Sequence, residues 1–309
     1  MSKANVFDLV TVGHFAIDTI VSSRKIDSKT ALGGPSTYVS VAAAKMGAKV
    51  SVISKVGDDF PKEYLTWLKN NKVDLSGLKH VSNACTTRYV LEYKNWERQL
   101  RLTSQAPSIS PADIPRSLQS STVHVSPIAN EVSDEVMSKL RKSAKVLSLD
   151  PQGFVRSFDK KGNVGVKKWR NPEALGQIDV FKSAIHEVQA VTGIRDLKPA
   201  MKKIIDYGPR IAIVTGGMKG STLLFENQFY NIPVCKSKIV VDPTGAGDSY
   251  VGGFLAEYLW GKDVLWCACV GSAAASFVVE AVGPVRFGEK HEVYERAQGI
   301  YEKVVGKKK

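Results

Sequence analysis

Short apolar runs alternate along this chain with longer segments whose small and apolar residues suit helices. Val6–Gly13 and Val50–Val56 predict buried strands, and the small residues that follow Gly33-Gly34 predict a helix through Met46 between them. The alternation returns with strands at Val123–Ser126, Val146–Asp150, Val180–Ile185 and Ile211–Thr215, and with helices at Pro61–Asn70, Ser133–Ser143, Leu197–Tyr207, Asp248–Trp260, Val264–Val279 and Glu289–Val304. Strands and helices at this spacing predict an α/β fold with a mainly parallel sheet.

Two stretches break this alternation. Residues 16–33 carry a β-branched run followed by polar residues, and residues 86–104 alternate polar and apolar positions around a central turn. The second pattern is typical of an antiparallel hairpin with one exposed face. Together the two stretches predict a small β-sheet that projects from the α/β body as a lid over an active site, and a surface hairpin without function is the alternative. We expect residues 1–309 to form one domain of this kind.

The charge of the chain is its compositional outlier. The 309 residues are 43% hydrophobic and 24% charged, close to the average of globular proteins, but 43 Lys and Arg stand against 30 Asp and Glu, a net charge of +13. Such a surplus favours an anionic partner, which is a nucleic acid, a membrane surface or a phosphorylated small molecule. A solvated surface rich in lysine explains the same number.

Targeting and redox features point to a cytoplasmic protein. The N-terminal residues lack the apolar stretch of a signal peptide, and the uncharged run Val264–Val279 is shorter than the ~20 apolar residues that span a bilayer. The cysteines include no C-x-x-C pair and are interpreted as buried structural thiols: Cys85, Cys235, Cys267 and Cys269.

The segment Asp242–Asp248, with the sequence D-P-T-G-A-G-D, carries the strongest chemical signal. An apolar strand at Ile239–Val241 is expected before it and a helix is expected to begin near Asp248. Glycines at 245 and 247 let backbone N–H groups approach an anion at a helix N-terminus. A carboxylate beside that anion site suits the acceptance of a proton from an attacking hydroxyl group. The six residues fixed in the pattern D-x-T-G-A-G-D arise in this order by chance in about one in 10⁵ chains of this length.

On these residues the chain resembles the ribokinase-like (PfkB) family of ATP-dependent carbohydrate and nucleoside kinases. Four other segments share the likeness along most of the chain: V-G-H-F-A-I-D at Val12–Asp18, Gly33-Gly34, Gly57–Asp59, and T-G-G-M-K-G at Thr215–Gly220. The resemblance implies an α/β sheet flanked by helices on both faces and a small β-lid. It also implies Mg-ATP, a monovalent cation such as K⁺, and, from lid-mediated dimers in the family, a homodimer through the lid.

The resemblance also implies roles for single residues. Asp248 corresponds to the catalytic base. The other implied roles are an anion hole at Gly245, Ala246 and Gly247; acceptor contacts at Asp18, Gly33, Gly34, Tyr38 and Gln152; ATP contacts at Thr215, Gly217, Lys219, Gly220 and Ala274; Mg²⁺ through water at Glu187; and a monovalent cation at Asp242.

Two departures from the family pattern bear on metal and acceptor. The family's N-x-x-E is A-I-H-E here, so Ala184 replaces the Asn and Glu187 alone remains. An ordinary carboxylate at a helix N-terminus is the alternative interpretation of Glu187. Tyr38 replaces the family's sugar-binding Asn, which argues against ribose held in the ribokinase manner.

The acceptor is the least determined part of the prediction. Tyr38, the D-P-Q-G-F-V-R-S run that begins at Asp150, and the basic lid strand are similar to archaeal inositol kinases. The segments Val12–Asp18 and Ala275–Ala281 are similar to archaeal nucleoside kinases. We favour a polyol acceptor, a cyclitol or a sugar, over a nucleoside.

Three alternatives of other classes are weaker. A nucleic-acid binder needs basic residues interleaved with exposed aromatics, whereas the basic residues here are dispersed. A ligand-sensing protein without catalysis would not need to retain Asp248. A dehydrogenase of the Rossmann type is disfavoured because no G-x-G-x-x-G follows the first strand. The expected partners are therefore ATP and a small polyol, with no nucleic acid and no membrane.

Overall fold

The apolar run Val6–Val12 forms β1, a strand at the centre of a large sheet whose Leu9, Val10 and Val12 side chains are fully buried. The computed structural model describes residues 6–21, 28–94, 97–116, 118–237 and 239–306. The other strands of the described chain are β2 (Ala16–Val21), β3 (Ser28–Gly33), β4 (Val50–Val56), β5 (Val73–Asp74), β6 (Leu78–His80), β7 (Thr87–Lys94), β8 (Glu97–Ser104), β9 (Gln119–Val125), β10 (Ala144–Leu149), β11 (Arg156–Phe158), β12 (Val164–Val166), β13 (Val180–Ala184), β14 (Ile211–Thr215), β15 (Ser221–Phe225) and β16 (Gln228–Ile232).

Helices connect most of these strands. They are α1 (Pro35–Lys45), α2 (Lys62–Asn70), α3 (Asp134–Arg141), α4 (Gln152–Val155), α5 (Ile185–Thr192), α6 (Leu197–Tyr207), α7 (Ala246–Tyr258), α8 (Val264–Val278) and α9 (Lys290–Gly306). All the helices predicted from the sequence are present, with ends that differ by a few residues at most.

The large sheet has the order β16-β15-β14-β13-β10-β9-β1-β4-β5, with β6 also paired to β4. Its strands are parallel from β14 to β5, and the β14-β15 and β15-β16 pairs are antiparallel. The chain leaves β1 toward β4 on one side and returns through β9 on the other. An open α/β sheet binds ligands outside the carboxyl ends of its strands at such a reversal point.

The core lies in layers on the two faces of this sheet. One apolar cluster joins β1, β13 and β14 to α1, α7, α8 and α9, and the cluster on the opposite face packs α3, α5 and α6 against the sheet. Helices therefore cover both faces, because strands that are apolar on both sides need a cover on each. The predicted fold class, ribokinase-like α/β with a mainly parallel sheet, is confirmed.

The second sheet has the order β3-β2-β7-β8 and is the small sheet predicted from residues 16–33 and 86–104. The β2-β3 and β7-β8 pairs are antiparallel, and β2 and β7 pair in parallel at its centre. Residues 22–27 and 95–96 of the predicted lid lie outside the described residues. Movement of this sheet as a lid and a homodimer through it stay predictions.

Several details differ from the sequence-based expectation. Ile239–Val241 is not a strand in the described chain; the N–H groups of Val241 and Asp242 instead donate to the carbonyl of Val279 at the end of α8, at 2.7 and 3.3 Å. Short strands that the apolar pattern did not predict are also present: β5, β6, β11, β12, β15 and β16. These segments have a mixed composition without a long apolar run. They form strands because they pair with neighbouring strands, which the local sequence pattern does not reveal.

The cysteine prediction is correct for only part of the set. Cys267 and Cys269 are buried on α8, as expected of structural thiols, whereas Cys85 is exposed and Cys235 is partly exposed. Among the described helices, none combines the length and the apolar content that a bilayer-crossing segment requires.

Candidate active site

A cleft of about 2010 Å³ opens between the carboxyl ends of the parallel strands and the small sheet. The predicted site residues that line it are Asp18, Gly34, Tyr38, Gln152, Glu187, Thr215, Gly217, Gly220, Asp242, Gly245, Ala246, Gly247 and Asp248. Of the described residues proposed for the site, Gly33, Lys219 and Ala274 lie outside the lining, although Ala275 and Ser276 belong to it. Residues more than 200 positions apart in the chain thus meet in one cavity.

The glycine turn before α7 is built by backbone geometry that only glycine adopts without strain. Gly245 caps the helix with φ +78°, and a Cβ there would lie 2.3 Å from the Tyr38 ring. The Asp242 carboxylate accepts the N–H of Thr244 at 3.0 Å, and the N–H of Ala246 donates to the Pro243 carbonyl at 3.2 Å. The turn therefore presents the N-terminus of a 13-residue helix to the cleft, where an anion is favoured.

Asp248 lies in the first turn of α7 and faces the cleft. Burial raises the pKa of its carboxyl group, the Lys182 ammonium opposes that effect, and the carboxylates of Asp150 and Glu187 add to it, to give a pKa of about 6. A carboxylate with this pKa is mostly ionised at pH 7 and is a stronger base than an ordinary aspartate. Its chemistry suits acceptance of a proton from an alcohol.

A buried ion pair that the sequence did not single out lies beside Asp248. Lys182 Nζ on β13 is 2.6 Å from Asp150 Oδ2, just beyond the end of β10, and both side chains are at least 95% buried. A Cβ on Gly247 would lie 2.8 Å from the same ammonium. A lysine inside the apolar run V-F-K-S-A was the available signal, since a charge in a central strand is seldom buried without a partner.

At one end of the cleft, the diglycine makes room for Asp18. A Cβ on Gly33 would lie 1.9 Å from Asp18 Oδ2, so the carboxylate packs directly on the glycine backbone. Gly34 adopts φ +82°, and a Cβ there would meet the His14 carbonyl at 2.7 Å. Gly33 thus supports Asp18 from behind and does not reach the cleft itself.

Further polar groups converge near Asp18. Gln152 begins α4 and lines the cleft, and its N–H donates to Asp150 Oδ1 at 3.2 Å. The Arg156 guanidinium lies 5.6 Å from the centre of the Tyr89 ring and donates to the Ile128 carbonyl at 3.1 Å. Carboxylate, amide and guanidinium groups thus share this end of the cleft, which we call the acceptor end.

The opposite end, the donor end, begins where β14 stops at Thr215. Gly217 and Gly220 follow with φ +59° and +83°. Met218 and Val240 line the cleft with exposed apolar side chains, 76% and 52% accessible. Lys219 points to solvent, and Ala274 faces Gly253 of α7, where a Cβ would approach it to 3.0 Å. The apolar surface suits the flat face of a nucleobase.

Glu187 is the one predicted Mg²⁺ residue. It is 5% exposed and lines the cleft, and its Oε2 accepts the N–H of Ala184 at 2.6 Å. No group of three or more His, Cys, Asp or Glu side chains converges to hold a metal within the described ranges. Because Mg²⁺ usually takes one or two carboxylates and otherwise phosphate oxygens and water, one carboxylate fits an ion that arrives with ATP.

Comparisons with known proteins match this chain to kinases. The family model described as pfkB family carbohydrate kinase matches residues 6–290. A cytidine kinase of Thermococcus kodakarensis is 28% identical over 284 residues, which cover 90% of this chain and 98% of that one. An inositol 3-kinase of Oryza sativa subsp. japonica is 27% identical over 96% of this chain and 74% of that one. The structure of a pyrophosphate-dependent kinase in the ribokinase family aligns with a TM-score of 0.81 at 24% identity, over 92% of this chain and 99% of that one.

Proposed function

The chain belongs to the PfkB family of carbohydrate kinases, and from that premise we propose that it transfers the γ-phosphoryl group of ATP to a hydroxyl group of a small polyol. It is a phosphotransferase with an alcohol group as acceptor. The acceptor in our proposal is a cyclitol such as myo-inositol, or a sugar. The observation that carries this proposal is the position of Asp248, at the glycine turn and between the donor and acceptor ends of one cleft.

The proposed reaction is an in-line displacement at the γ-phosphorus. Asp248 takes the proton of the acceptor hydroxyl, the hydroxyl oxygen forms the new P–O bond, and the bond from phosphorus to the ADP oxygen breaks. In this proposal the backbone N–H groups of Gly245 and Gly247 stabilise charge on the transferred group, and that of Ala246 exchanges its bond to Pro243 for one to phosphate. Mg²⁺ would be held through water by Glu187, and when bound it would supply positive charge that neutralises the phosphate oxygens.

The polar groups at the acceptor end support a polyol. A molecule with a hydroxyl on every carbon offers several donors and acceptors, which suit the carboxylate of Asp18, the amide of Gln152 and the guanidinium of Arg156. Tyr38 is 2% exposed and its ring fills the space against Gly245, so it acts as a wall and not as a sugar ligand. The similarity to an inositol 3-kinase supports the same class of acceptor.

A nucleoside is the second candidate, and two observations favour it. The cytidine kinase matches this chain over nearly the full length of both proteins. The acceptor end also carries apolar side chains on the small sheet and on the β11–β12 hairpin, a surface on which a base would pack: Ile20, Leu91, Leu100 and Val164.

A transfer assay with purified protein tests the proposal. The protein is incubated with Mg²⁺, K⁺ and either ATP or pyrophosphate, against cyclitols, hexoses, pentoses and nucleosides, and the phosphorylated product is identified by NMR. We expect ATP-dependent phosphorylation of a cyclitol or sugar with a kcat/KM at least ~10-fold above that for any nucleoside. A preference for cytidine or another nucleoside would overturn the polyol acceptor. No transfer to any acceptor would overturn the proposed reaction.

A further inference from the structure

We propose that Lys182, held in place by Asp150, is a positioning residue that sets a fixed positive charge beside the phosphoryl-binding turn and keeps Asp248 ionised. This inference rests on the proposed kinase reaction. It adds a buried ion pair, Asp150 just after β10 and Lys182 on β13, to the site residues already described.

The sheet register directs Lys182 at the turn. β10 and β13 are parallel neighbours with Leu149 opposite Phe181, so the next positions, Asp150 and Lys182, lie side by side at the carboxyl edge. Val180 packs in the apolar cluster that contains α7, and side chains two positions apart on a strand share a face. Lys182 therefore points at the start of α7, where its ammonium occupies the space that a side chain at position 247 would need.

Contacts on both sides immobilise the ammonium. Asp150 Oδ2 accepts from Lys182 at 2.6 Å while its Oδ1 accepts the N–H of Gln152 at 3.2 Å, so the carboxylate is held at both oxygens. Gly247 has no side chain, and a Cβ at that position would lie 2.8 Å from the ammonium. The absence of a side chain at Gly247 thus leaves room for the ammonium beside the backbone of the turn, and both residues line the cleft.

The burial of the pair argues for a role beyond stability. Lys182 is 4% exposed and Asp150 is fully buried. Desolvation of two charges is costly, and apolar residues of similar volume often replace a buried ion pair without loss of stability. A site that handles the negative charge of phosphate and of Asp248 explains why this chain holds the pair there.

Charged groups face Asp248 from several elements. Lys182 on β13 and Arg156 at the start of β11 favour its ionised form, whereas Asp150 after β10 and Glu187 on α5 disfavour it. His124 on β9 lies near the pair, and burial lowers the pKa of its imidazole to about 4, so it is neutral at working pH. Lys182 gives the largest of the charge effects on Asp248, and its ammonium lies next to the turn, where a Cβ on Gly247 would come within 2.8 Å of it.

This arrangement predicts opposite effects for its two members. Lys182→Met removes the cation and leaves two carboxylates near Asp248, so the acid limb of the kcat/KM–pH profile moves to higher pH by about one unit. kcat at pH 7 falls by about tenfold or more, because the turn also loses its supporting charge. Asp150→Asn removes a carboxylate and keeps the cation, so the same limb moves to lower pH.

The experiment compares pH profiles of kcat and kcat/KM for wild type, Lys182→Met, Asp150→Asn and the exposed control Lys202→Met, with thermal melts of each. The double variant Asp150→Asn/Lys182→Met removes both charges of the ion pair, so neither is left buried without its partner. Should the lysine variant not fold, the limbs of Asp150→Asn and of the double variant decide. We expect the acid limb of Asp150→Asn to lie at lower pH than that of the wild type. The limb of the double variant is expected at higher pH than that of Asp150→Asn.

Three outcomes would contradict this role. The first is that Lys182→Met has the same acid limb and the same kcat as the wild type. The second is that the acid limbs of the two single variants move in the same direction. The third is that the acid limb of Asp150→Asn coincides with that of the wild type. A wild-type protein that phosphorylates no acceptor is a different result, because it would overturn the proposed reaction and this role together.

Discussion

Asp248 differs from an ordinary surface aspartate because of its surroundings. It lies at a helix N-terminus, beside a buried ammonium and near two other carboxylates. The Asp248→Asn substitution keeps the size and the hydrogen-bonding shape of the side chain but removes its basicity. We therefore expect kcat to fall by ~100-fold or more with little change in the affinity for ATP or acceptor.

Isothermal calorimetry and steady-state kinetics measure this effect. Asp206→Asn is the matched control, because Asp206 is exposed on α6, away from the cleft. Wild-type turnover in Asp248→Asn would remove Asp248 from the role of base.

The raised pKa of Asp248 predicts the pH dependence of the reaction. A base works only when it is deprotonated, and its pKa of about 6 lies above the ordinary value of an aspartate. kcat/KM is therefore constant above that value and falls about tenfold for each pH unit below it. A kcat/KM profile measured from pH 4.5 to 8 in buffers of constant ionic strength checks this dependence. An acid limb near pH 4 would contradict the raised pKa of Asp248.

At the scale of elements, the start of α7 determines where phosphate is expected to bind. Gly245 is required there for two reasons, its φ of +78° and the Tyr38 ring 2.3 Å from the position of a Cβ. Gly193, at the end of α5, has φ +73° but no atom within 4 Å of a Cβ. The two glycines share the same backbone strain and differ in the space around them.

Substitution of each glycine by alanine separates strain from crowding. Gly193→Ala is expected to cost about 1 kcal/mol, which lowers the melting temperature by about 2–4 °C, and to leave kcat unchanged. Gly245→Ala carries the same cost plus about 1–3 kcal/mol of overpacking against Tyr38, and the displaced turn lowers kcat at least ~10-fold. Differential scanning calorimetry and kinetics give both values. Equal effects of the two substitutions would show that the contact with Tyr38 is unimportant.

The small sheet is tied to the body at several points. The imidazole Nδ1 of His14 bonds to the Thr87 hydroxyl at the start of β7 over 2.8 Å, and the backbone N–H of His14 donates to the buried carboxylate of Glu131 at 3.0 Å. On the other side, the N–H of Leu102 on β8 donates to the Gly162 carbonyl of the β11–β12 hairpin at 2.8 Å. These contacts hold the sheet over the acceptor end of the cleft.

At the scale of the whole molecule, the net charge of +13 has a different meaning from the one it first suggests. Among the described residues, the positive side chains that line the cleft beside the N-terminus of α7 are Lys29, Arg156, Lys182 and Lys236, and Lys182 is already paired with Asp150. The surplus therefore belongs mainly to the surface, where charges are screened by salt.

This distribution predicts weak and nonspecific binding to nucleic acid. An electrophoretic shift with a 30-nucleotide RNA is expected at about 20 mM salt and is expected to disappear by about 150 mM, because few phosphates are neutralised at once. Kinase activity is expected to change less than twofold over the same range. A shift that persists at 150 mM salt would restore nucleic acid as a partner.

Contiguous residues were enough to predict the parts of this protein that depend on local order. The alternation of apolar runs and helical segments predicted the mainly parallel sheet, because burial on both faces imposes that pattern. The D-P-T-G-A-G-D turn predicted an anion site with a carboxylate base, because glycine torsions and a helix N-terminus are encoded within seven residues, and its resemblance to the PfkB family predicted a kinase. The cover of helices on both faces and the small β-sheet, expected from the family resemblance and the hairpin pattern, also agree with the structure.

Tertiary structure alone decided what depends on distant partners. Asp150 and Lys182 are 32 positions apart, and only the order and register of β10 and β13 bring them together beneath Gly247. Ile239–Val241 has the apolar composition of a strand, yet the N–H groups of Val241 and Asp242 bond to the end of α8 and not to a strand. The backbone groups of a strand need a neighbouring strand, and a buried charge needs an opposite charge. Both partners come from distant parts of the chain, and only the tertiary fold brings them together.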